Sequence, residues 1–255
     1  MKTLHRSRRP SHELVVTQDG NKVTLWSASG LRHTVVDLSA LHLPGLEYAR
    51  NSLLALAFNP QAQSFLILGL GGGSIPHMLL AARPGASVDA VEIDPEVPEL
   101  ARRFFQLETS PRLQIFLEDA AAYVARCTNQ YDVVILDAYV GDMLPAQCTT
   151  DEFFSNAHRL LANRGLLIIN WMRGDAERFR RVLSSVEGRF GSVWLLNCFR
   201  SQNTLLFAPV RDFARQALLA EAGRLEREIP FASGLARVAR RLQRPTPLGK
   251  SVTCG

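Results

Sequence analysis

The stretch from residue 65 to residue 94 constrains the fold of this chain more than any other. It reads FLILGLGGGSIPHMLLAARPGASVDAVEID: an apolar run, a glycine-rich turn, a helical segment and a second apolar run that ends in Glu92 and Asp94. An unbroken apolar run is typical of a strand buried on both faces. This order predicts a doubly wound α/β domain with a pocket for an adenosine-bearing ligand, because a strand, a glycine turn, a helix and an acidic strand tip follow one another.

The glycine turn supplies the first candidate cofactor-binding residues, Gly69, Gly71 and Gly73. Glycine lets the backbone turn tightly and lets a ligand approach it closely. Glu92 lies roughly 20 residues beyond the turn, where a carboxylate can accept hydrogen bonds from both hydroxyls of a ribose. An alternative interpretation stays open at this point: the glycines only close a strand–helix corner, and Glu92 caps a helix.

Two more strand ends carry carboxylates. Asp119 follows the predicted strand at 113–117, and Asp137 ends the predicted strand at 131–137. The carboxyl ends of parallel strands face one crevice, so we expect both side chains near Glu92. Asp119 is placed to accept a hydrogen bond from an adenine amino group, and Asp137 lies where the reacting centre is expected. Helix capping is an alternative for Asp119 that is compatible with the first role, and solvation is an alternative for Asp137.

Apolar runs and helical periods divide the chain into four parts. We predict a basic tail at residues 1–12 and, at residues 13–58, a small antiparallel β-extension with a connecting helix at 48–58. Residues 59–210 are predicted to form a nucleoside-binding Rossmann-like domain. Residues 211–255 are predicted to form C-terminal helices and a basic tail. In the third part the predicted strands are 64–69, 87–93, 113–117, 131–137 and 166–171, and the predicted helices are 74–83, 96–106, 119–127, 150–163 and 175–188, with Gly165 as the C-cap of the fourth. Two further strands before residue 210 complete a seven-stranded doubly wound sheet with one antiparallel strand, the S-adenosylmethionine-dependent transferase type.

Composition and charge exclude several classes of protein. No apolar run approaches the ~20 residues of a membrane span, and the N-terminus has no apolar signal-peptide core. The four cysteines lack metal-ligand spacing, so we expect no metal and a reducing, cytoplasmic location. The two ends are basic, with +4 in residues 1–12 and +5 in residues 211–255. Because the whole chain carries +5, residues 13–210 carry −4 and the body is acidic. Nucleic acid is therefore not expected as the main partner.

The order of several motifs resembles a known enzyme family. Tyr48 precedes LILGLGGGS, VEIDPEV, LEDA, YDVVILDAY and TTDEFF, and the matching stretch covers roughly residues 13–210. This order is similar to that of the spermidine synthases, the polyamine aminopropyltransferases. The resemblance implies transfer of an aminopropyl group from decarboxylated S-adenosylmethionine to a small-molecule amine in polyamine biosynthesis, with methylthioadenosine as a product. It also implies a homodimer.

The resemblance implies a role for each residue that matches the family pattern. Glu92 would hold the ribose of the cofactor, and Asp119 would meet its adenine. Asp137 would accept a proton from the attacking amine or orient it. Tyr48 would line the amine channel.

Two further residues are candidates on the substrate side of the crevice. Tyr139, beside Asp137, is a candidate catalytic residue that lines the pocket, and a simple packing role is its alternative. His33 lies on a predicted N-terminal strand near the crevice, where the family often has Gln. It is therefore a candidate substrate contact.

Two acids of the family pattern are absent. The family turn usually reads GGGDGG, and its Asp grips the aminopropyl ammonium; Gly72 stands at that position here. A second family Asp corresponds to Val140, and Asp142 is a nearby candidate that could partly substitute for it. Loss of these charges weakens selection of the decarboxylated cofactor. Methyl or aminocarboxypropyl transfer from ordinary S-adenosylmethionine therefore stays open, as does a non-catalytic nucleoside-binding protein.

Overall fold

The N-terminal part of the chain folds into a small antiparallel sheet. The computed structural model describes residues 1–7, 13–141 and 143–245. Within these ranges the sheet has four strands in sequence order, β1 (Lys2–Arg6), β2 (Leu14–Asp19), β3 (Lys22–Ser27) and β4 (Arg32–Asp37). The alternation of buried and half-buried residues along β2 and β3 explains how the sheet packs one face on the body of the protein.

The first half of the predicted basic N-terminal tail is a strand, and residues 8–12 of that prediction lie outside the described residues. Lys2–Arg6 forms a strand that pairs antiparallel with β2. The carboxylate of Glu96 then holds the segment from the side, 2.8 Å from Nε2 of His5 and 2.9 Å from Oγ of Ser7. Backbone pairing with β2 and the two polar contacts with Glu96 hold these residues in place. The segment has no apolar pattern, so sequence reasoning found no sign of a strand there.

A broken helix joins the small sheet to the body of the protein. The predicted single helix at 48–58 is divided into α1 (Glu47–Asn51), a 3₁₀ turn (Ser52–Leu54) and α2 (Ala55–Phe58). At the break, the hydroxyl of Ser52 donates to the backbone oxygen of Ala49 at 2.7 Å. Such a local side-chain bond competes with the regular helical pattern.

The second sheet carries the predicted transferase topology. Within the described ranges it has seven strands in the order β10-β11-β9-β8-β5-β6-β7. The strands are β5 (Ser64–Leu68), β6 (Ser87–Glu92), β7 (Leu113–Leu117), β8 (Tyr131–Leu136), β9 (Leu161–Met172), β10 (Trp194–Asn197) and β11 (Asn203–Pro209). Only β11 runs antiparallel to both of its neighbours. Because β5 lies between β6 and β8, the strand order reverses there, and a crevice opens at the carboxyl ends.

Helices cover both faces of the large sheet. They are α3 (Ser74–Ala82), α4 (Glu96–Phe105), α5 (Ala120–Arg126), α6 (Asp151–Arg159), α7 (Ala176–Phe190), α8 (Arg215–Glu228) and α9 (Leu235–Ala239). The helices α3, α4, α8 and α9 share one apolar core with the small sheet, whereas α5, α6 and α7 form a second core on the opposite face. Within the described ranges, no helix is both long and apolar enough to cross a membrane.

One predicted helix end is wrong. The sequence pattern put a C-cap at Gly165, but α6 ends at Arg159 and Gly165 lies within β9. The pairing of β8 with β9 shifts register just after Tyr131, which faces Leu161. Gly165 therefore lies near an irregular stretch at the start of a strand, and glycine is also common at such positions.

Candidate active site

A cavity of about 840 Å³ opens at the carboxyl ends of the parallel strands, and we call it the strand-tip cavity. Its walls come from the glycine turn after β5, the ends of β6, β7 and β8, the small sheet and the segment after β10. Small-molecule sites typically occupy ~300–1,000 Å³. Of the residues predicted from the sequence, the lining contains His33, Tyr48, Gly69, Gly71, Glu92, Asp119, Asp137 and Tyr139. Gly73 is outside the lining, and Asp142 lies outside the described residues.

The glycine turn requires glycine at position 69 for two reasons. Gly69 has a φ of +100°, and a Cβ there would lie 2.4 Å from the backbone oxygen of Asp137. Its N–H donates to the backbone oxygen of Val91 at 2.8 Å, which ties the turn to the end of β6. Gly73 instead precedes α3 at a φ of +77°, where a Cβ would lie 2.4 Å from Leu107. The first glycine therefore shapes the cavity, and the last one allows close packing behind it.

Backbone amides hold the carboxylate of Glu92 in one position. Its oxygens accept hydrogen bonds from the N–H groups of Leu70 at 3.0 Å, Ile93 at 2.8 Å and Asp94 at 3.0 Å. Burial raises the pKa of Glu92, and these bonds oppose that rise. A carboxylate has about four acceptor sites, so this one is fixed at the cavity wall with acceptor capacity remaining.

Asp119 caps a helix and lines the strand-tip cavity at the same time. Its Oδ1 accepts from the N–H groups of Ala121 at 2.9 Å and Ala122 at 3.0 Å, at the start of α5. Its Oδ2 accepts from Nε2 of Gln147 at 3.1 Å. The capping alternative is therefore observed, together with a position on the cavity wall. Gln147 also lines the cavity and was missed by the sequence analysis.

Asp137 has the most perturbed carboxyl group of the strand-tip cavity. Burial raises its pKa to about 7, and the nearby charge of Glu92 adds to the rise. Hydrogen bonds from Asn170 and Tyr48 act in the opposite direction, and the Asn170 bond measures 2.7 Å from Nδ2 to Oδ1. The Tyr48 hydroxyl also lies 3.2 Å from the backbone oxygen of His33. A carboxyl group with this pKa can take up and release a proton near neutral pH.

Two buried amides orient the donor that faces Asp137. Asn170 is 2% exposed within the apolar second half of β9, and Asn203 is 7% exposed at the start of β11. Nδ2 of Asn203 donates to Oδ1 of Asn170 at 2.9 Å, which leaves the Asn170 amide nitrogen directed at Asp137. Sequence reasoning missed both residues. The available signal was a single Asn inside the apolar run LLIINW.

The hydroxyl of Tyr139 is engaged with the backbone on both sides. It donates to the backbone oxygen of Asn170 at 2.6 Å and accepts from the N–H of Met172 at 2.8 Å. Burial and the charge of Asp137 raise its pKa above the ordinary range of tyrosine. This geometry favours the alternative in which Tyr139 fixes the segment after β8 to β9 and lines the cavity with its ring.

Comparison with known proteins identifies the family. A family model described as the spermine/spermidine synthase domain matches residues 52–177. The polyamine aminopropyltransferase of Chromobacterium violaceum is 32% identical over 182 residues, which cover 69% of this chain and 69% of that protein. The chain belongs to the spermine/spermidine synthase family. The predicted transferase class is thereby confirmed. The polyamine aminopropyltransferase of Vibrio vulnificus is 38% identical over 126 residues, which cover 48% of this chain and 42% of that protein.

Solved structures of this family and of a methyltransferase share the fold. A probable spermidine synthase from Corynebacterium glutamicum has a TM-score of 0.73 at 22% identity, covering 91% of this chain and 94% of that chain. Human methyltransferase-like protein 13, in complex with SAH, has a TM-score of 0.66 at 25% identity, covering 82% of this chain and 96% of that chain. The predicted fold is therefore confirmed, and the same architecture serves two kinds of group transfer.

The turn of this family member has no room for an acid at position 72. The N–H of Gly72 donates to Oγ1 of Thr34 at 2.8 Å. A Cβ on Gly72 would lie 2.8 Å from Cδ1 of Phe105 and 2.8 Å from Cγ2 of Thr34. The side chains around the turn thus fill the space into which an aspartate of the family pattern would begin to extend.

Among the described residues, no group of three His, Cys, Asp or Glu side chains is arranged to hold a metal ion. The ionisable groups of the strand-tip cavity are engaged with backbone and amide donors instead. Glu92 and Asp119 are fixed by backbone N–H groups, and Asp137 is bonded by Asn170. The cavity therefore offers fixed acceptors along one wall and one proton-accepting carboxyl group.

Proposed function

We propose that the strand-tip cavity binds decarboxylated S-adenosylmethionine and transfers its aminopropyl group to an amine. One observation carries the proposal: Asp137, with a pKa raised to about 7, lies in the same cavity as the fixed carboxylates of Glu92 and Asp119. Acceptors for a nucleoside and a group that takes a proton near neutral pH are thus combined in one site.

The nucleoside would lie along the glycine turn and the next two strand ends. Glu92 would accept hydrogen bonds from the ribose hydroxyls, because its carboxylate is already held by three backbone N–H groups. Asp119 would meet the adenine amino group, with Gln147 beside it as an additional amide. Gly69 and Gly71 would let the backbone approach the sulfonium side of the ligand.

The chemistry would be a direct displacement. The amine nitrogen attacks the carbon next to the sulfonium, a C–N bond forms, the C–S bond breaks, and methylthioadenosine leaves as a neutral thioether. The proton of the resulting ammonium passes to Asp137, whose Oδ1 is held by Asn170. Tyr48, Tyr139 and His33 would line the path of the amine. Alignment of the two reactants supplies much of the acceleration in such a displacement.

The test is product analysis with a matched set of variants. The purified chain is mixed with decarboxylated S-adenosylmethionine and a diamine such as putrescine or cadaverine, and release of methylthioadenosine is followed by chromatography. Glu92→Gln should weaken cofactor binding by about tenfold or more, because a charge-assisted hydrogen bond is lost. Asp137→Asn should retain binding and lose about 10²–10⁴-fold in rate. Glu108→Gln changes an exposed carboxyl outside the cavity lining and should alter neither.

Methyl transfer is the second candidate, and the filled space at Gly72 favours it. Without an acid in the turn, the ammonium of the decarboxylated cofactor has no partner there, and the carboxylate of ordinary S-adenosylmethionine meets no repulsion. The same assay with ordinary S-adenosylmethionine separates the candidates. Formation of S-adenosylhomocysteine without methylthioadenosine would overturn aminopropyl transfer. Tight binding of either cofactor without any product would overturn both and favour a non-catalytic nucleoside-binding protein.

We also propose a homodimer, on the strength of the family resemblance, and a cytoplasmic location, on the strength of the cysteine pattern. Analytical ultracentrifugation of the purified chain tests the first point, and a sedimentation coefficient of a monomer at all concentrations would contradict it. Fractionation of the native cells tests the second.

A further inference from the structure

A second cleft lies on the far side of α1 from the strand-tip cavity. It has a volume of about 480 Å³ and is lined by four arginines, Arg50, Arg200, Arg237 and Arg241. Among the described residues that line this cleft, Glu47 is the only acidic one. We call it the arginine cleft, and its charge is the opposite of that expected for a site that binds polyamines.

Three of the four guanidinium groups have no ion-pair partner among the residues that the structure describes. Arg241 is engaged, since it lies 3.4 Å from Oε1 of Glu47, donates to the backbone oxygen of Asn197 and covers the ring of Phe199 at 3.6 Å. In the described ranges, Arg50, Arg200 and Arg237 have no carboxylate within ion-pair distance. These three side chains are exposed along the cleft. As far as the described part of the chain shows, the cleft therefore holds more positive than negative charge.

The cleft also has an aromatic wall. Phe199 is 78% exposed, the second highest value among the large exposed apolar residues of the described chain. Phe231 packs on His42 on the other side, with ring centroids 4.7 Å apart. An exposed aromatic ring beside free arginines suits a ligand that combines negative charge with an apolar or planar group.

We propose that the arginine cleft binds a phosphate-bearing small molecule. A phosphate group carries a charge of about −1.5 to −2 and several acceptor oxygens, which matches the three free guanidinium groups better than one carboxylate does. Its organic part would lie against Phe199. Arginine forks recognise phosphate oxygens in pairs, and Arg50, Arg200 and Arg237 all line this one cleft.

A ligand in this cleft would contact the same segment that forms a wall of the strand-tip cavity. Arg200 lines both cavities, and the three residues after it, 201–203, line the strand-tip cavity. The backbone N–H of Arg200 donates to Oε2 of Glu47 at 2.7 Å, which ties the segment to α1. Tyr48, the next residue on α1, faces the strand-tip cavity. A ligand held by Arg200 would therefore be linked through Glu47 and α1 to the wall of the strand-tip cavity.

Calorimetric titration of the full chain tests the proposal, with pyrophosphate, ADP and adenosine as probes. We expect pyrophosphate and ADP to bind, and we expect Arg50→Gln and Arg237→Gln each to weaken binding by about tenfold or more. Arg102→Gln is the matched control, because Arg102 is exposed on α4 and lines neither cavity. Each titration is repeated with the Glu92→Gln chain, so that ADP bound through its adenosine in the strand-tip cavity is recognised.

The outcomes separate the possible ligands. If ADP binds more tightly than pyrophosphate and depends on the same arginines, the ligand of the cleft is a nucleotide. If the two bind equally, the cleft recognises the phosphate groups alone. Absence of binding by both probes overturns the proposal. So does binding that Arg102→Gln weakens as much as the cleft variants do, or ADP binding that only Glu92→Gln removes.

Discussion

Replacement of Asp137 by Asn should make the protein more stable at neutral and alkaline pH while it loses activity. Burial raises the folded-state pKa of Asp137 to about 7, from an ordinary value of 3.8. The folded state therefore binds this proton more tightly than the unfolded chain does. Stability is consequently highest below the ordinary pKa and is lost as the pH rises from 3.8 to about 7.

The magnitude follows from the size of the shift. About 3 pKa units at 1.36 kcal/mol per unit give about 4 kcal/mol. Contact of the carboxyl with solvent in the open cavity screens part of this, so we expect a gain of about 2 to 4 kcal/mol for Asp137→Asn above pH 7. The amide oxygen can still accept the bond from Asn170, and the new amide nitrogen can donate to the oxygen of Tyr48. The substitution thus removes the charge and keeps the local bonding.

Urea unfolding at several pH values between about 4 and about 8 measures the effect without knowledge of the substrate. The difference in unfolding free energy between the variant and the native chain should grow through this range. Asp37→Asn is a control of opposite sign, because hydrogen bonds from Ser39 lower the pKa of Asp37. Its carboxylate stabilises the fold above its ordinary pKa, and its removal should cost stability at neutral pH. A pH-independent difference for Asp137→Asn would refute both the perturbed pKa and the proton-accepting role built on it.

Three further substitutions test the walls of the site. Gly69→Ala should destabilise the fold by about 1–3 kcal/mol or more and abolish cofactor binding. The reason is that a Cβ there would lie 2.4 Å from the backbone oxygen of Asp137. An unchanged thermal unfolding temperature would contradict this prediction. Gly72→Asp should cost about 1–3 kcal/mol through overpacking against Phe105 and should not improve binding of the decarboxylated cofactor, as measured by calorimetry. Asn203→Leu should raise the midpoint of the rate–pH profile by up to about one pH unit. The reason is that the Asn170 amide, which stabilises the ionised Asp137, loses the bond that orients it. An unshifted profile would argue against this role of Asn203.

Much of the strand-tip cavity could be predicted because parallel strands end at one edge of a sheet. The positions of Glu92, Asp119 and Asp137 at successive strand ends are sufficient to bring them to one crevice, and all three line the cavity. Their roles in catalysis and binding stay predictions. The capping of α5 by Asp119 was foreseen as an alternative for the same reason, since a strand end that leads into a helix is also a helix start.

Other features were beyond sequence reasoning because they depend on partners far apart in the chain. Asn170 and Asn203 are 33 positions apart and meet only because β11 pairs with β9. The segment Lys2–Arg6 becomes a strand through pairing with β2. Gly165 was assigned to a helix end because glycine is typical both of helix ends and of irregular strands, and local sequence does not distinguish them.

The sequence by itself determined the class of fold and the edge of the sheet at which the three carboxylates meet. Both follow from the order of apolar runs, the glycine turn and the acids at strand ends. The tertiary structure decided how those groups behave. Burial raises the pKa of Asp137, paired amides aim a donor at it, and Thr34 and Phe105 fill the space beside Gly72. Local patterns are properties of neighbouring residues, whereas burial, amide orientation and excluded volume are properties of residues that only folding brings together.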